Sequence, residues 1–151
     1  MPDITNGELV TAVDMPPSVW AFDDTRISDI SSTAYISGSP LVSLYFIAPT
    51  SGRVLLTVGG GLQDSSTANR VHLAPVVRED GPNGTAVLAA DVVARGIGCT
   101  DQTTSFMYLS RTTLLTGLTP GRTYYAHTAY KVSGGTSGDI QSRDITVVPV
   151  P

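Results

Sequence analysis

The chain has 151 residues, 41% hydrophobic and 15% charged, with a formal net charge of −4. That size implies one domain around a single core, the balance excludes the disordered class, and the apolar runs are too short and interrupted for a membrane-spanning helix. Nine basic residues without a cluster make nucleic acid a poor partner, and the lone Cys99 excludes an internal disulfide or a thiolate metal cluster, leaving a structural thiol.

Charge is uneven from the start. Residues 1–30 carry Asp3, Glu8, Asp14, Asp23, Asp24 and Asp29 against Arg26 alone, a balance of −5, and the remainder sums to +1. With Pro2, Pro16 and Pro17 and no strand rhythm, residues 1–31 read as an extended arm ahead of a domain over 32–151. An arm of this kind buries too little to offset its chain entropy, so either its own domain or a neighbouring subunit must hold it. "VWAF", Val19 to Phe22, is the expected anchor, because Trp20 and Phe22 can each bury roughly 150–250 Å². Together with Leu9, Val10, Asp14, Asp23 and Asp24 they form the expected partner-binding set. The acids suit a basic protein surface, or they are simply solvated. No basic segment followed by an apolar stretch opens the chain, so synthesis in a cytoplasm without export is the expectation.

Beyond the arm, short β-branched and aromatic runs recur between turn residues, and no long stretch keeps the spacing of a helical face. "STAYIS" reads as a weak strand. "LVSLYFIA", Leu41 to Ala48, is apolar on both faces and reads as a central one. "PTSG" turns the chain and "RVLLTVG" returns it, with Gly59, Gly60 and Gly61 expected to end the strand. In "RVHLAPVVR", Val71, Leu73 and Val77 point one way and Arg70, His72 and Arg78 the other, and Pro75 places the strand at an edge or a bulge. "EDGPNGT" is a dense turn, and "AVLAADVVA" reads as strand. "TSFMYLS", "TTLLTGL", "TYYAHTAYKV" and "RDITVVPV" complete eight or nine strands at the spacing of a sandwich or barrel.

Motifs for chemistry are missing from this pattern. The glycines are not followed by Gly-Lys-Ser/Thr or by a helix, so they do not form a phosphate loop. His72 and His127 stand alone in mid-strand without metal-ligand spacing. No Gly-x-Ser-x-Gly elbow occurs, and the adjacent carboxylates Asp23–Asp24 and Glu79–Asp80 point apart rather than across a substrate. The expectation is therefore a protein that is not an enzyme, with no cofactor and no metal. In "LTPGRTYY", Pro120 and Gly121 bend the chain and Tyr124 follows where a phenol can hydrogen-bond back to the corner.

Three resemblances follow from quoted stretches. "TTLLTGLTPGRTYYAHTAYKV" resembles the last hairpins of fibronectin type III domains. "TNGELVTAVDM", Thr5 to Met15, resembles the opening of short structural proteins of tailed phages of actinobacteria. "FIAPTSGRVLLTVGGG", Phe46 to Gly61, resembles the core strands of the β-sandwich in those proteins, itself similar to the jelly roll of the tumour necrosis factor and complement globular-head superfamily. The expected fold class is thus all-β, an antiparallel β-sandwich of jelly-roll type, with an immunoglobulin or fibronectin type III sandwich as the alternative. The phage resemblance implies a virion surface component made in the host cytoplasm, often trimeric. Its partners would be the major capsid protein or other virion proteins, with no nucleic acid and no membrane. A capsid decoration (cement) protein is favoured, because neither heptads nor Gly-x-y repeats supply the shaft of a receptor-binding fibre. A tail-associated receptor or carbohydrate-binding protein, stacking ligands on Tyr108, Tyr125 and Tyr130, is the alternative.

Overall fold

Period-two alternation sets the strands, and it is clearest in β8, where half-buried and exposed residues follow one another from Met107 to Leu114. The structure, a computed structural model, describes residues 14–65, 69–100, 105–134 and 138–151. Among these lie ten strands: β1 (Val19–Asp23), β2 (Ile27–Ile30), β3 (Ser43–Ile47), β4 (Val54–Asp64), β5 (Val71–Glu79), β6 (Ala86–Leu88), β7 (Ile97–Gly98), β8 (Met107–Leu115), β9 (Thr123–Val132) and β10 (Gly138–Pro149).

They form two antiparallel sheets. One runs β1-β10-β4-β8 with β2 also on β10; the other runs β3-β9-β5-β6 with β7 beside β5. From β3 to β5 and from β7 to β10 the chain changes sheet at every step, the connectivity of a jelly-roll-like sandwich. The fibronectin-like reading holds across the Tyr124 corner, where β8 and β9 lie in different sheets, and fails at the next step, because β9 and β10 also lie in different sheets and do not form the closing hairpin. Tyr124 still fastens the corner: the Thr119 amide donates to its hydroxyl at 2.9 Å. The inward residues make one core in two halves, Leu44, Phe46, Val54, Leu56, Tyr124 and Ile145 at one end and Val58, Leu62, Leu73, Val132 and Ile140 at the other.

Several expectations need correction. Residue 31 does not divide an arm from the sandwich, since β1 and β2 are both laid on β10 and belong to the first sheet. "STAYIS" forms only a single bridge, Ile36 to Tyr130. β3 is an edge strand, paired with β9 alone, and its second apolar face is the exposed one with Tyr45 and Ile47. "AVLAADVVA" is strand only over its first three residues, and "TSFMYLS" and "TTLLTGL" run together as β8.

The three glycines do not end β4. They lie inside it, paired with Leu109, Tyr108 and Ser110 of β8. A Cβ on Gly60 would come within 3.1 Å of Leu73 Cδ2 in the core, and one on Gly61 within 2.9 Å of the Tyr108 ring, while one on Gly59 would overlap the Asp144 carboxylate. The run is glycine because large neighbours cross it on both faces. Opposite it, β10 shifts register between Gln141 and Asp144, with Ser142 at φ 49°. That bulge turns Arg143 inward, where it is fully buried. Its Nη1 donates to the Pro40 carbonyl at 2.9 Å and its Nη2 meets Asp23 Oδ1 at 3.3 Å, tying β10 to the segment before β3 and to its sheet neighbour β1.

β5 is central rather than an edge, but Pro75 is accommodated as a local break. Val71 and Glu79 direct their amides away from β9, to Cys99 Sγ and the Thr85 carbonyl, so Pro75, in phase with them, faces the gap between β6 and β7.

Candidate functional site

The outward residues of the first sheet assemble a flat face in rows fixed by strand register. Val148, Leu55 and Leu114 make the first row; Trp20, Thr146, Thr57 and Thr112 the second; Phe22, Asp144, Gly59 and Ser110 the third; Gly61 and Tyr108 lie in the fourth. Trp20, Phe22 and Tyr108 are 65%, 50% and 63% exposed. Trp20 and Phe22 stack at 6.0 Å between centroids with their planes 18° apart, alternate residues of one short strand on one side. Thr57 and Thr112 share a hydrogen bond of 2.8 Å across β4 and β8, which fixes the middle of the face. Tyr108 receives a hydrogen bond from the Gln141 amide at its far end.

Asp144 is the one charged side chain in these rows. It lies over Gly59, and partial burial raises its carboxyl above the ordinary aspartate value. A shallow cleft beside it is lined by Gly60, Tyr108, Ser110 and Ser142. Chemically this face offers aromatic and aliphatic area, hydroxyls and little charge, the composition of a surface that packs against another surface.

The expected partner-binding residues divide among different places. Trp20 and Phe22 stand on this face, Asp24 is exposed just past β1, and Asp14 is half-buried at the start of the described chain. Leu9 and Val10 lie outside the described residues. Asp23 points inward to Arg143 instead. Partial burial works to raise its carboxyl, but hydrogen bonds from Thr25 and the Arg143 guanidinium outweigh that and hold it below the ordinary value. Leu55, Leu114, Val148, the threonines and Asp144 were not singled out by sequence reasoning; Leu55, apolar in the outward phase of "VLLTV", was the one available signal.

Other candidate groups are dispersed. His72 and His127 lie on β5 and β9 opposite Lys131 and Val76 rather than each other, and among the described residues no group of three or more His, Cys, Asp or Glu could hold a metal ion. Tyr125 and Tyr130 are 5% and 3% exposed, so of the three tyrosines considered for ligand stacking only Tyr108 presents a ring to solvent. Cys99 is buried, its sulfur accepting from the Val71 amide at 3.2 Å.

No family model matches the chain, and no curated protein does. Solved structures do. A mutant VP2 protein of infectious bursal disease virus, from derived T=1 particles, superposes with a TM-score of 0.52 at 16% identity, covering 99% of this chain and 36% of that one. The VP2 subviral particle of the same virus gives 0.52 at 14%, covering 89% and 34%. Eiger TNF from S. frugiperda gives 0.43 at 12%, covering 90% and 94%. The chain spans about a third of the length of the viral proteins it matches. At these identities the likeness is one of fold.

Proposed function

We propose that this chain is a structural protein of a bacteriophage virion, a decoration protein on the outside of the head shell. It docks through the outer face of its first sheet with Trp20 and Phe22 as anchors. The observation that carries the reading is that pair: two large aromatics, stacked and more or less half exposed, at the rim of a nearly uncharged four-stranded face. Isolated apolar side chains need no partner, but a contiguous face of this kind is a site of association. The sandwich fold shared with the capsid protein VP2, and the phage resemblance of "TNGELVTAVDM", support a virion setting. The protein is not an enzyme on this reading; it acts by binding assembled shell in preference to free subunits, which stabilises the shell by mass action. It works as a homo-oligomer, a trimer by the resemblance, on the major capsid protein.

Deleting residues 1–24 is a poor test, because it removes β1 from the sheet. The double variant Trp20→Ser, Phe22→Ser keeps the backbone pairing. Co-sedimentation with purified heads should fall by a factor of ten or more, since aromatic anchors contribute about 2 kcal/mol each at interfaces. Undiminished occupancy would refute the docking role. The alternative, a tail-associated glycan or receptor binder, keeps Tyr108 and the cleft beside Asp144 as its platform; binding on a glycan array with no affinity for heads would favour it.

A further inference from the structure

The second sheet carries a separate cavity on its outer side. Its floor is Val76 and Arg78 of β5 with His127 and Ala129 of β9; Tyr35 and Ser37 wall one side and Ala86, Ala89 and Ala90 the other. Val76 and His127 are direct cross-strand partners, so the floor is rigid sheet rather than loop.

Two features of the lining point to a ligand. His127 is 8% exposed, yet its Nδ1 has no hydrogen-bond partner. Buried polar atoms are nearly always paired, so this nitrogen, itself closed to solvent, leaves His127 an under-satisfied residue of the lining. Arg78 is the only charged residue of the lining, and no carboxylate is among it. Arg78 Nη1 donates to the Gly84 carbonyl at 3.0 Å, and no ion pair involves this guanidinium among the described residues. Of the acids nearby, Glu79 and Asp80 pair with Arg122, while Asp91, whose charge reaches Tyr35 of the lining, has its Oδ1 held by the Val93 amide at 2.8 Å. A second cation, Lys131, sits over the Tyr35 ring at 4.9 Å from its centroid. Burial, with Arg78 adding to it, favours the neutral form of His127, which leaves Arg78 as the charge of the lining.

We propose that this cavity binds a small organic carboxylate, its oxygens on the Arg78 guanidinium and its short carbon skeleton against the alanines, Val76 and the His127 ring. Besides the Tyr35 and Ser37 hydroxyls and His127, the remaining walls are apolar and suit a carbon skeleton, and arginine is the side chain suited to a planar carboxylate. The site faces away from the first sheet and is independent of docking through it.

The test is an NMR titration of the full chain with propionate, glucuronate and inorganic phosphate at constant ionic strength, following the His127 ring and the Ala129 methyl. Propionate or glucuronate should saturate these signals, and the tighter of the two distinguishes a free acid from an acidic sugar. Arg78→Gln should weaken binding about tenfold or more, in keeping with the loss of a charge-assisted pair. Ala90→Leu, which occupies the cavity from its rim, should abolish it with the melting temperature unchanged within a few degrees. Absence of saturation by either carboxylate, phosphate binding as tightly as both, or affinity unaltered in both variants would each overturn the proposal.

Discussion

The two outer faces of the sandwich are built from the same alternation and have opposite fates. That of the second sheet is covered by its own chain. Ala74, Val76, Tyr125, His127 and Ala129 point outward from β5 and β9, yet all are buried: Gly96 of the segment from β6 to β7 lies against Ala74, Tyr45 packs on Tyr125, and Tyr35 with Ala86, Ala89 and Ala90 stands around the other three. The covering segment is itself tied down: Arg111 of β8 donates to the carbonyls of Val92, Val93 and Gly96, and Arg95 to that of Leu114. Nothing in the described chain covers the first sheet, where Trp20, Leu55, Leu114, Tyr108 and Val148 remain exposed. Outward apolar residues therefore have two meanings in one molecule. On one side they lie beneath their own chain; on the other they stay open to solvent.

Charge insertion separates the two faces most strongly. Ala74→Asp places an unpaired carboxylate beneath Gly96 of the covering segment and should cost about 3 kcal/mol or more by urea denaturation. Thr112→Lys, on the bare face, loses one threonine pair and should cost less than about 1 kcal/mol. Equal costs would erase the distinction. Next in size is Gly60→Val, which drives a branched side chain into Leu73 and should destabilise by about 1–3 kcal/mol, an overpacking effect that a strand-ending glycine would not produce.

Two aspartates beside each other in the sheet should respond oppositely to pH. The Asp23 carboxyl is held below its ordinary 3.8, so its contribution is complete above that value and is lost as pH falls through the lower folded-state value. Asp23→Asn should therefore flatten the loss of stability in acid, read as the urea midpoint at neutral pH and at about pH 3. Asp144 is the smaller effect. Its carboxyl is raised by burial, so ionisation above the ordinary value works against the folded state. Asp144→Asn should raise the melting temperature slightly at neutral pH and leave it unchanged in acid.

Much of this was legible in the sequence, and the remainder was not for physical reasons. β9 is foretold to the residue by "TYYAHTAYKV", and the Tyr124 corner by its spacing from Pro120. Trp20 and Phe22 stand out as aromatics in a polar segment, but their strand is five residues long, too short for alternation to announce it. The glycines misled because their cause is the crossing of Leu73, Tyr108 and Asp144, residues distant in sequence. β3 misled because an apolar outer face signifies burial only when something lies over it. The candidate face was invisible for the same reason: its rows draw on four strands and exist only once register is set.

The central claim, that the bare face is the docking surface, is tested most directly by co-sedimentation with purified heads of the wild-type chain, Thr112→Lys and Ala89→Lys. Both variants place one lysine at an exposed position, on opposite sides of the sandwich. Loss of binding by Thr112→Lys with wild-type binding by Ala89→Lys is the expected result. Equal binding by all three, or loss confined to Ala89→Lys, would contradict it.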